Sequence, residues 1–97
     1  MSWKTPSLKN LSHALRSCKT EPELLNFLRD LCTLEELAEL SERWKIARLL
    51  AEGLSYRAIA EQTGVSTTTV TRIAHWLSHG EGGYQAALTR TKKMIKK

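Results

Sequence analysis

The chain is predicted to be all-α, and three observations carry that expectation. No segment sustains a period-two apolar pattern, apolar residues recur at helical spacing throughout, and Ser or Thr start signals stand before most of the periodic stretches. About six helices follow, in a single domain over 1–97. Residues 1–54 are expected to hold the dimerisation helices, 55–79 a helix-turn-helix, and 80–97 a C-terminal helix with a basic tail.

The first helix begins after Pro6, where Leu8, Leu11, Leu15 and Cys18 form a narrow apolar stripe. In TEPE, Thr20 and Glu23 have the spacing of a capping box, and Pro22 sits in the first turn, where its missing N–H costs nothing. The second helix therefore runs through Leu24, Leu25, Leu28 and Leu31. Thr33 and Glu36 in TLEE repeat the signal, and the third helix continues to about Glu52 and stops at Gly53. It is apolar on two sides, with Leu37, Leu40, Trp44 and Ala47 on one and Ile46, Leu49 and Leu50 on another. A helix wet on one side needs only one such stripe, so the third helix is read as the spine of the domain. One face is assigned to the following helices, the other to the first two helices or a second chain. At 97 residues the chain buries only roughly two-thirds of its unfolded surface, and a partner subunit would supply missing core.

Ser55 can cap a short helix from Tyr56 to Thr63, Gly64 supplies a tight turn, and Ser66 can cap the helix after it. Ile59, Ala60, Gly64, Val65, Val70 and Ile73 then fall where a helix-turn-helix needs them: Ala60 small at the helix crossing, Val70 and Ile73 holding the second helix onto the first. The succession Thr67, Thr68, Thr69 and then Thr71 is poor helix material, because β-branched residues lose rotamer freedom against the preceding turn. A recognition helix explains it. There Ser66, Thr67, Thr68 and Thr71 point outward, short hydroxyls can bond phosphates or base edges, and threonine methyls can touch the thymine methyl. Arg57, near the start of the first helix of the pair, is placed to reach a guanine edge or a phosphate, with a plain surface arginine as the alternative. Thr69 and Arg72 lie on another side and need a separate explanation.

The formal net charge of +5 is unevenly spread. Glu21, Glu23, Asp30, Glu35, Glu36, Glu39 and Glu42 crowd one stretch with Arg29 as its only cation. The remainder is strongly basic, ending in Arg90, Lys92, Lys93, Lys96 and Lys97, which suits a polyanionic partner such as double-stranded DNA. The acidic carboxylates interleave with leucines and read as a solvated face. Cys18 and Cys32 lack the paired spacing of a zinc or redox motif and read as reduced, buried thiols. His75 and His79 are one turn apart, but no third ligand is evident, so they read as cations near a helix C-terminus. No nucleophile and base stand in a recognisable arrangement, so no catalytic residue, metal or cofactor is assigned. No apolar run of about 18 residues and no cleavable leader occurs, so a soluble, cytoplasmic protein without membrane partners is expected.

The stretch LCTLEELAELSERWKIARLLAEGLSYRAIAEQTGVSTTTVTRIAHWL, Leu31 to Leu77, resembles the tryptophan repressor family. It is closer still to the related YerC/YecD-type group, whose helix-turn-helix likewise leads into an HGEGGY-like segment, here His79 to Tyr84. The resemblance implies an intertwined, all-helical homodimer that binds a palindromic operator as a transcriptional regulator, repressor-like. In the tryptophan repressor the corepressor's indole lies between two arginines, and threonines help to fix it. Arg43 and Arg72 match the arginines, and Thr33 and Thr69 match threonines. Ile73 and Trp76 stand where that repressor has a glycine and a serine, and both add bulk to the pocket. Arg43 also has a plainer reading, a surface pair with Glu39 at four-residue spacing. Tryptophan is therefore not expected as effector: Ile73 and Trp76 are expected to fill its gap, leaving a different and smaller ligand or none. The competing function is a helical RNA- or protein-binding adaptor that works through the basic tail.

Overall fold

The computed structural model describes residues 2–92, so Lys93, Lys96 and Lys97 of the expected basic tail lie outside the described residues. The described residues form six helices and no strand: α1 (Pro6–Ser17), α2 (Glu21–Leu31), α3 (Leu34–Ala51), α4 (Tyr56–Thr63), α5 (Thr67–His79) and α6 (Gly83–Thr91). Contacts divide the chain into two units, Met1–Ala38 and Glu39–Lys97, with the boundary inside α3.

In the first unit each helix starts where a hydroxyl can satisfy an orphan amide. Thr5 accepts from the Leu8 N–H at 3.1 Å and Thr20 from that of Glu23 at 3.3 Å. The Glu23 carboxylate reaches back past the cap to accept from the Lys19 N–H at 2.8 Å. At α3 the box is reciprocal: Thr33 Oγ1 accepts from the Glu36 N–H at 3.0 Å, and Glu36 Oε1 accepts from the Thr33 N–H at 2.9 Å.

These caps define helices that have little to pack on. Neither α1 nor α2 contains a buried residue. Leu11, Leu15 and Cys18 of the predicted α1 stripe are half-buried, as are Leu24 and Leu28 of α2. Leu8, Leu25 and Leu31 remain exposed, and Phe27 is half-buried in their place. Leu34, in the first turn of α3, is 64% exposed.

The second unit holds the core. Ile46 and Ala47 of α3, Ile59 of α4, and Val70 and Ile73 of α5 are buried together, with Trp44, Leu49, Leu50, Leu54, Val65 and Tyr84 packed against them. The spine reading of α3 is met on the side that carries Ile46 and Leu49. On the other side Ala47 is buried and Trp44 packs on the core, while Leu40 is 51% exposed. Between α5 and α6 the chain passes Gly80, where a β-carbon would stand 2.5 Å from the Trp76 carbonyl oxygen, so only glycine fits without a shift. Gln85 Nε2 donates to the Leu77 carbonyl at 3.0 Å and ties α6 to the last turns of α5.

Candidate nucleic-acid interface

Positioning of α5 begins with the apolar contacts of α4. Ser55 Oγ accepts from the Ala58 N–H at 3.0 Å and starts α4, which buries Ile59 completely. The helix ends at Gly64, in the left-handed region at φ +83, with its N–H donating to the Ala60 carbonyl at 2.8 Å. Thr63 Oγ1 donates to the Ile59 carbonyl at 2.7 Å and accepts from the Val65 N–H at 3.4 Å, which holds the turn from the inside. After two further residues α5 starts, and its Val70 and Ile73 pack beside Ile59. Three aliphatic side chains at no more than 2% exposure thus lock α4 and α5 together.

The packing leaves the opposite side of α5 in solvent. Ser66, Thr67, Thr68 and Thr71 are all exposed, as is Arg57 near the start of α4. Their hydroxyls are not equivalent. Ser66 Oγ is the N-cap, accepting from the Thr69 N–H at 3.2 Å, and it lies 3.2 Å from Thr69 Oγ1. Thr71 Oγ1 donates to the Thr67 carbonyl one turn back at 2.9 Å, so its proton is engaged while its lone pairs remain able to accept. No partner among the described residues engages the hydroxyl of Thr67 or Thr68. These two are free to donate and accept at once.

Two further exposed residues lie beside this row, His75, read in the sequence only as a cation near the helix C-terminus, and Tyr56, which was given no role. His75 continues the Thr68–Thr71 row by a further turn, and its ring stacks on His79 with centroids 4.8 Å apart and planes 17° from parallel. The signal was the four-residue spacing from Thr71, masked by the change of residue type. Tyr56, 44% exposed, stands beside Arg57 at the start of α4. Among the described residues no group of three or more His, Cys, Asp or Glu side chains could hold a metal ion.

The residues of the candidate effector pocket take separate places. The Thr33 hydroxyl is committed to the capping box of α3. Thr69 is half-buried with its hydroxyl turned to Ser66, which supplies the separate explanation it needed. Arg43 and Arg72 are exposed. Ile73 fills the core at 2% exposure, whereas Trp76 does not join it and is 44% exposed. The expectation that both side chains fill one gap is corrected here. Each three-residue step turns back about 60° round the helix, so Trp76, two steps beyond Val70, stands about 120° from it and at the edge of the buried stripe. It lines an open cleft with Trp44, His75, Tyr84 and neighbouring residues, and none of Arg43, Thr69 or Arg72 lines that cleft.

Two short helices locked at a glycine turn, the second with its polar face bare, define an all-helical helix-turn-helix protein. The chain belongs to the Trp repressor family: the family model described as Trp repressor protein matches residues 6–92. The uncharacterized protein YerC of Bacillus subtilis (strain 168) is 38% identical over 86 residues, covering 89% of this chain and 83% of its own. A TrpR-like protein from Eubacterium eligens superposes with a TM-score of 0.85 at 37% identity, over 97% of this chain and 96% of the other. A Staphylococcus aureus protein proposed to be a Trp repressor gives a TM-score of 0.84 at 30% identity, over 92% and 89%. No helix among the described residues is long and apolar enough to cross a membrane.

Proposed function

We propose that the protein is a sequence-specific DNA-binding transcriptional regulator that reads a palindromic operator as a homodimer and performs no catalysis. The observation that carries the reading is the free, outward pair of Thr67 and Thr68 hydroxyls on the first turn of a helix anchored by Val70 and Ile73. In a recognition helix the N-terminal residues meet base edges, and the paired helix crosses the backbone. Thr67 and Thr68 then read bases, the Thr71 methyl touches a thymine methyl or a sugar, and Arg57 reaches a guanine edge or a phosphate. Ser66 shapes the helix start and leaves its amide end toward the phosphates.

Membership of the Trp repressor family supports a regulator, and the net charge of +5 supports a polyanionic partner. The homodimer rests on surface that one chain leaves bare. Leu25, Leu31, Leu34 and Leu40 are between 47% and 64% exposed, and each leucine fully buried by a partner contributes about 1.5–3 kcal/mol.

Tryptophan is not the effector in this reading, since Ile73 is a packed core residue and the Thr33 and Thr69 hydroxyls already bond within helix starts. The adaptor reading depends on the basic tail instead of the threonine face. Electrophoretic mobility of labelled duplexes separates the two: loss of specific binding on Thr68→Ala with the tail intact supports DNA reading. Unchanged binding in Thr67→Ala, Thr68→Ala and Arg57→Ala, with loss on removing 93–97, supports the adaptor.

A further inference from the structure

The bare face of α5 does not end with the threonines. Successive residues turn about 100° round a helix, so Thr68, His75 and His79 fall within about 40° of one another, across the helix from Val70 and Ile73. Both histidines are exposed, and their rings stack with centroids 4.8 Å apart and planes 17° from parallel. Arg72 lies on the same side and is exposed as well. The outward strip of α5 thus runs from hydroxyls at its N-terminal end to Arg72, His75 and His79 further along, and the helix holds no carboxylate.

The place of the pair along the axis fixes what it meets. In the DNA-binding reading, on which this inference rests, α5 enters the major groove by the end that carries Thr67 and Thr68. His75 stands seven residues beyond Thr68, about 10 Å along the axis at roughly 1.5 Å per residue, and the groove is about 8.5 Å deep. The stacked rings then sit at the groove rim, among phosphates and away from base edges. Imidazole is the side chain that changes charge near neutral pH, and a phosphate beside it favours the charged form. Binding therefore takes up protons, and affinity falls as pH rises through the imidazole titration. The groups beside the pair from outside α5 are Glu81 in the segment that follows, Tyr84 of α6 and the indole of Trp44 of α3. α4 packs on the buried side of α5 and places no group there. Lys93, Lys96 and Lys97 follow α6 outside the described residues and are kept in every protein compared below.

We propose that the stacked pair His75 and His79 holds a backbone phosphate at the rim of the major groove and couples DNA binding to proton uptake. Its hold is indifferent to base sequence, unlike that of Thr67 and Thr68.

Fluorescence anisotropy of labelled duplexes with the full chain at pH 6 and pH 8, across a salt series, tests it. The parent is expected to bind operator and scrambled duplex alike about tenfold more tightly at pH 6, short of the roughly hundredfold that one fully linked proton gives over two pH units. The double variant His75→Gln with His79→Gln loses most of that gain and about one from the salt slope at pH 6, and it matches the parent at pH 8. His75→Arg is charged at both pH values and binds at pH 8 nearly as tightly as the parent does at pH 6, a rescue that a merely structural role does not give. His13 and the terminal amine titrate in all three proteins alike. Both substituted side chains are exposed, so circular dichroism of the variants stays that of the parent. Equal pH dependence in the parent and the double variant overturns the proposal, as does weakened binding of His75→Arg at both pH values. Absence of binding to any duplex at either pH overturns the DNA reading and this inference together, whereas binding without histidine dependence overturns this inference alone.

Discussion

Ser66 and Thr69 close the first turn of α5 on themselves: the Ser66 hydroxyl accepts the Thr69 N–H at 3.2 Å and lies 3.2 Å from the Thr69 hydroxyl. The contact decides which hydroxyls of this threonine-rich turn are left for a partner. Ser66→Ala removes the cap and is expected to lower stability by about 1 kcal/mol. Ser66→Asp keeps a cap and suits the positive end of the helix, but places a negative charge against DNA. Urea unfolding of Ser66→Asp is therefore expected to match the parent while its operator affinity falls. Parent-like affinity in a stable Ser66→Asp protein contradicts the placement of this turn on the phosphates.

Thr68 and Thr71 are expected to respond differently to the same change. Thr68→Val deletes a hydroxyl with no partner in the protein, so operator binding weakens by about 1–3 kcal/mol if it reads a base. Thr71→Val deletes a hydroxyl that donates to Thr67 and keeps the methyl, so it changes affinity much less. Competition binding with operator and scrambled duplex measures both, and equal losses would show that the two hydroxyls play one role.

Arg57→Ala separates base reading from phosphate contact. A base contact makes the loss sequence-dependent, about 1–3 kcal/mol on the operator and little on scrambled duplex. A phosphate contact weakens both alike and reduces the salt slope by about one.

Leu34→Glu probes the dimer. The side chain is 64% exposed in one chain, so the substitution leaves the folded protomer's own core untouched. Light scattering of the parent at tens of micromolar is expected to give a dimer mass, shifted toward monomer in Leu34→Glu. A monomer mass in the parent contradicts the homodimer.

Free tryptophan is expected to give no saturable heat with the parent chain, because Ile73 occupies core that an indole would have to enter. Micromolar tryptophan binding with tighter operator binding would make Arg43 and Arg72 the ligand clamp. Ile73→Ala is expected to destabilise the chain by about 2–5 kcal/mol, whether or not DNA is present.

Local rules made the elements legible. TEPE and TLEE mark helix starts because a hydroxyl and a carboxylate three residues apart satisfy orphan amides at any site in any fold. Gly64 marks the turn because left-handed backbone at φ +83 favours glycine. The outward row of α5 was legible because Val70 and Ile73 fix which side is buried. Trp76 was not, since an exposed tryptophan and a packed one look alike until the neighbours Trp44 and Tyr84, distant in sequence, are brought beside it. Of the four leucines Leu24, Leu25, Leu28 and Leu31, spacing alone could not tell the exposed Leu25 and Leu31 from the half-buried pair. Thr71 was legible as outward but not as engaged, because its bond to the Thr67 carbonyl depends on a rotamer choice.

Selection of bound duplexes from a random pool by the purified full chain tests the central claim most directly. The account predicts an enriched palindrome whose half-sites lie about one helical turn apart, roughly 10 base pairs or a multiple, as two-fold-related recognition helices require. Thr68→Ala is then expected to relax the preference within each half-site. Failure to enrich any duplex sequence, from protein that scatters as a folded dimer, would contradict it.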